Sequence, residues 1–170
     1  MYLLLAGTFF IIIAIYFVDW AMWKEFYPTI QFYIICNLLY NFIFYHHTLW
    51  SYDTSSKVWL KHTFIEILFS FIIIPVIIMI YLRFVPSGRK GIVYIVLWIF
   101  CFWLTEVMFK KMGYFVYDNE WNEWWSLLFN MIMFPILRLH SKKPLIAIII
   151  SVPIILILLL FFHPSLNEIK

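Results

Sequence analysis

Six apolar runs, separated by short polar and aromatic clusters, set the limits on what this 170-residue chain can become. They are Leu3–Val18, Thr29–Tyr45, His62–Leu82, Gly91–Phe109, Trp124–Leu139 and Leu145–Phe162. At ~1.5 Å per residue, a helix of about 20 residues covers the ~30 Å hydrocarbon core of a bilayer. Each run is therefore read as a membrane-spanning helix. The composition agrees: 12% of residues are charged, against roughly 25% in soluble domains. The formal net charge of +3 is small and sits in short clusters between runs, which reads as topology signalling and not as a nucleic-acid surface. Cys36 and Cys101 fall inside runs, outside any CxxC setting, and are read as small hydrophobes. The first run lacks a basic segment ahead of it and is expected to be a retained helix, not a cleaved signal.

With no linker, low-complexity tract or repeat, residues 1–170 are expected to form one integral membrane domain. Its expected fold class is all-α, a polytopic membrane protein of about six transmembrane helices. Alternation of six spans puts Lys24, Arg83, Arg89, Lys90, Arg138, Lys142 and Lys143 on one side and Lys57, Lys61, Lys110, Lys111 and Lys170 on the other. The positive-inside rule then makes the first side cytoplasmic and both termini external. A five-span alternative has the short fifth run re-entrant.

Polar residues recur at fourfold spacing in runs two, three and five: Tyr33, Asn37, Asn41 and Tyr45, then His62, Glu66 and Ser70, then Ser126 and Asn130. Residues four apart share a helix face. Amides are costly against lipid, so these faces should turn inward. Runs two to five are thus expected to form a four-helix, polar-lined core, with runs one and six flanking it. Pro75 should kink the third run.

Alternation also brings Glu66, Glu106, His62, Asn41, Asn130 and His46 towards one leaflet. An ionisable group within a span costs about 2.5–3.5 kcal/mol on insertion scales, so these six residues are the candidate ligand or proton site. The structural alternative pairs Glu66 with His62 and Glu106 with Lys110. His62 and Glu66 are also the weak candidates for a metal. No phosphate loop, nucleophile elbow, HExxH or paired-cysteine motif is present, and no cofactor is expected. The many tryptophans read as an interfacial belt.

Four stretches carry a family resemblance: DWAMWKEFYPT at Asp19–Thr29, HHTLW at His46–Trp50, GYFVYDNEWN at Gly113–Asn122 and NMIMFPILRLH at Asn130–His140. Through them the chain resembles an uncharacterised family of small multi-pass membrane proteins from spore-forming Gram-positive bacteria. The resemblance implies a multi-pass fold in the bacterial plasma membrane and brings no catalytic residue with it. The function expected is binding or passage of a small ligand, ion or lipid through an outer-leaflet polar pocket, with the bilayer as partner. An intramembrane enzyme on a lipid or isoprenoid, or a structural accessory subunit, are the alternatives.

Overall fold

The computed structural model describes residues 11–52 and 62–162, with the backbone alone for Tyr52 and residues 62–64. The start of the first run, the loop holding Asp53, Lys57 and Trp59, and the tail Pro164–Lys170 lie outside the described residues. The chain is mostly helical. Helix α1 covers residues 11–17, and a 3-10 turn, Trp20–Met22, leads into α2, Trp23–Ile43. A continuous rod follows: α3 (His62–Leu68), a π turn (Phe69–Ile73) and α4 (Ile74–Arg83). Then come α5 (Arg89–Lys111), α6 (Glu123–Lys142) and α7 (Pro144–Phe162). Three stretches are long and apolar enough to cross a membrane: Ile65–Arg83, Arg89–Lys111 and Pro144–Phe162.

The expected all-α class needs one correction. Strands β1 (Trp50–Tyr52) and β2 (Phe115–Tyr117) pair antiparallel, with Trp50 opposite Tyr117 and Ser51 opposite Val116. Alternating aromatic and β-branched side chains in FVY suit a pleated ribbon, but three residues are too few to stand out from a loop.

Local chemistry sets the helix ends. The Asn122 carboxamide oxygen accepts from the backbone N–H groups of Trp124 and Trp125 at 3.0 and 3.2 Å, capping α6. Helix α5 stops at Gly113, whose φ of 75° is left-handed. There Tyr114 N–H reaches back to Phe109 C=O and Gly113 N–H to Lys110 C=O, the paired bonds of a Schellman terminus. Pro75, expected to kink its run, lies just after the π turn. Its ring crowds the carbonyl four residues earlier and offers no N–H, and the widened turn absorbs both faults.

The helices alternate in direction. Asn37 on α2 bonds Ser70 and Asn41 bonds Glu66 on the α3–α4 rod, an antiparallel register. Tyr81 on α4 is fully buried, and its hydroxyl donates to Phe134 C=O on α6 at 2.9 Å. The main core joins α1, α2, α4, α5 and α6 around Ile78, Tyr81, Phe134 and Leu137. Helix α5 does not enter it as deeply as expected: 6% of its apolar stretch is buried, against 44% for the rod ending at Arg83. The expected four-helix core is therefore narrower, with α5 lying along one side and most of its surface turned outward.

At the end of the bundle that holds Arg83 and Arg138, guanidinium groups tie loops together. Arg83 donates to Phe17 C=O at 2.8 Å and faces Asp19 at 3.7 Å, and Arg138 donates to Pro86 C=O at 3.1 Å. Gly91 permits the second contact, because a Cβ there would meet Pro86 C=O and come within 2.6 Å of Arg138 Nη1. Gly91→Ala is expected to lower stability by about 1–3 kcal/mol through overpacking. SDS unfolding of the purified protein measures this, with Ile92→Ala on the exposed face as the near-neutral control.

Candidate functional site

Helix α5 carries Glu106 to its outward end, where the β ribbon and α6 converge. Glu106 Oε1 accepts from Ser126 Oγ at 2.6 Å and from the Tyr117 hydroxyl at 3.0 Å. Ser126 in turn accepts from Trp121 Nε1 at 2.7 Å. This gives a directional chain, indole to hydroxyl to carboxyl. Burial, and then the Glu106 charge, push the Tyr117 phenol above its ordinary value, so it keeps the proton it donates. Lys110, which the structural alternative pairs with Glu106 one turn away, instead pairs with Glu123 and lies 4.4 Å over the Tyr117 ring.

Glu66 belongs to a different network. Asn41 Nδ2 reaches Glu66 Oε2 at 3.5 Å and the Asn37 carbonyl at 3.0 Å, while Asn37 Nδ2 donates to Ser70 at 2.7 Å. The inward polar stripe therefore exists for Asn37 and Asn41. Tyr45, its expected fourth member, lies beyond the end of α2 and is 47% exposed. His46 is exposed in the same turn, its ring edge-on to Tyr45 at 4.6 Å. His62 opens α3, but its side chain lies outside the described residues. Asn130 is 5% exposed, one turn along α6 from Ser126, and no hydrogen bond to its side chain is found among the described residues. No group of three or more His, Cys, Asp or Glu suited to a metal occurs among the described residues; the His62–Glu66 pair is not covered by that statement.

The polar pocket expected around these residues is not the cleft that the helices leave. A cleft of about 160 Å³ lies between α2, α6 and α7, walled by Phe32, Cys36, Met133, Ile136 and Ile155 among others. Neither acid lines it, nor do Asn41, Asn130 or His46, and among the described residues its lining has no charged member. Its polar side chains are Tyr33, Cys36, Asn37, Tyr40 and Ser151, with the indoles of Trp50 and Trp121. Leu49, Trp50 and Trp121 close the end nearest the ribbon. Trp50 stacks on Tyr40 at 4.2 Å and leans on Trp121 at 5.1 Å. Leu49 N–H donates to the Tyr40 hydroxyl at 3.0 Å, fixing the roof to α2.

Sequence reasoning missed Tyr117 and Trp121 as site members. Trp121 reads from sequence as part of the interfacial belt, and the alternation in FVY is the one signal for the strand that holds Tyr117.

Long apolar helices with a polar-aromatic cap at one end define the chain as a membrane protein. No protein-family model matches it, and no curated protein or solved structure does so either.

Proposed function

We propose that the protein is a six-span plasma-membrane protein that binds the apolar chain of a lipid or isoprenoid in the cleft between α2 and α7. The cleft carries this reading. Its walls come from helices that would stand in hydrocarbon, its described lining has no charged residue, and an aliphatic member of that lining is exposed. Leu39 on α2, itself part of the lining, is 39% exposed. On the other side Ile154, Ile155 and Leu158 of α7 line the cleft and are half-buried. A chain can thus enter sideways from the bilayer without crossing a polar barrier. Apolar clefts with few polar groups are the usual form of small-molecule sites. Helices α2 and α6, with 21 and 20 residues, are each long enough to add a span at about 30 Å. The acids stand outside the lining, which favours binding over chemistry on the bound chain.

The two cysteines supply the test. Cys36 lines the cleft, whereas Cys101 is exposed on α5. In a Cys101→Ser background in nanodiscs, oleyl alcohol should slow alkylation of Cys36 by N-phenylmaleimide about tenfold, as expected at about ten times Kd. An unchanged rate at saturating alcohol counts against the cleft as a binding site.

A further inference from the structure

We infer that Glu106 is a positioning residue that latches the aromatic roof of the cleft, so that the ligand site opens to the bilayer and stays shut towards the aqueous phase. The inference rests on the proposed role of the cleft and adds how its outer end is controlled.

The geometry turns on Trp50. It is paired across the ribbon with Tyr117 and packed at 5.1 Å against Trp121. Both neighbours are tied to one atom. Glu106 Oε1 takes the Tyr117 hydroxyl directly and holds Trp121 through Ser126. The carboxylate therefore grips the roof on both sides of Trp50 from the α5–α6 pair. Two neighbouring acids are engaged elsewhere, Glu123 by Lys110 and Glu66 by Asn41 of α2. Within the roof, Asp118 N–H bonds Leu49 C=O at 2.9 Å, and the Asn119 amide bonds Thr48 C=O at 2.9 Å. These contacts make loop 44–52 and loop 112–122 one unit, which the Leu49–Tyr40 bond ties to α2 and the Glu106 bonds fasten to α5 and α6. The seal is tight, with Leu49 2% and Trp121 5% exposed. Hydrogen bonds to a carboxylate, and bonds linked in series, are the stronger kind.

Access to Cys36, one helical turn below Tyr40, reads the latch. In the Cys101→Ser background, a membrane-impermeant sulfonated maleimide should label Cys36 barely at all, while N-phenylmaleimide labels it from the lipid side. Ser126→Ala should raise sulfonated labelling about tenfold, the effect of losing one strong hydrogen bond from a closed state, and Glu106→Leu, which also frees Tyr117, at least as much. Because Ser126 acts through Glu106, the double variant should exceed Glu106→Leu by no more than about twofold. Ser126→Thr, which keeps the hydroxyl, should restore the wild-type rate. Unchanged sulfonated labelling in both single variants, with N-phenylmaleimide labelling retained, overturns the latch. If a helix variant fails to fold, Tyr117→Phe, a one-hydroxyl change on the ribbon, carries the test with the same sign. The two readings fail separately. Oleyl alcohol protection lost in the wild type removes the ligand site, whereas protection kept without opening in the variants removes only the latch.

Discussion

Filling the cleft from α7 is expected to abolish binding of an apolar chain, with Ile155→Trp weakening it at least about a hundredfold. Ile155 is half-buried and lines the cleft. An indole there takes up the space a chain needs, and reopening it means displacing α7 from α6. A loss of about 3 kcal/mol, the upper part of the overpacking range, corresponds to a little over a hundredfold in Kd. Retention of a fluorescent fatty alcohol by the purified protein reads the effect. The control is Ile157→Trp on the exposed face of the same helix, which should bind as the wild type does. Equal loss in both variants would point to general damage to α7.

Emptying the centre of the bundle should destabilise it strongly. Phe134 is 1% exposed, with ring centroids 5.0 Å from both Tyr81 and Phe102 and 5.9 Å from Trp98. Lipid tails are as apolar as the core, so helices in a bilayer are held by packing and hydrogen bonds and not by escape from water. A void at Phe134 removes packing between three helices at once, α4, α5 and α6. Phe134→Ala is expected to cost about 3 kcal/mol, the low end for a buried phenylalanine, seen as a lower SDS midpoint. Phe100→Ala, at a 47% exposed position on α5, should change it little.

The helices were legible because apolar length is a strong signal. Runs three to six recur as helices within a few residues of their expected bounds, and α2 begins earlier, at Trp23. The inward stripe on α2 was legible for the same reason: Asn37 and Asn41 follow the helical period and meet Ser70 and Glu66. Partner choice was not. Alternating spans place Glu66 and Glu106 at the same level, but spacing along a helix does not say how helices are arranged around the bundle. Glu106 turns to α6 and the ribbon, and Glu66 to α2, so the two carboxyl groups join separate networks. The i, i+4 rule likewise named Lys110 for Glu106, whereas the flexible lysine reaches Glu123 at the capped start of α6. The cleft had no sequence signature. It arises where α2 and α7 both pack on α6 without closing on each other, a matter of helix placement and not of any motif.

The most direct measurement is the site of covalent capture by a photoreactive lipid chain. A diazirine-bearing long-chain alcohol would be irradiated with the protein in nanodiscs, and the adducts mapped by mass spectrometry. A ligand-binding cleft predicts saturable adducts on Phe32, Cys36, Met133 and Ile155, lost in Ile155→Trp. Non-saturable adducts spread over the exposed faces of α5 and α7, with none on the cleft walls, would contradict it.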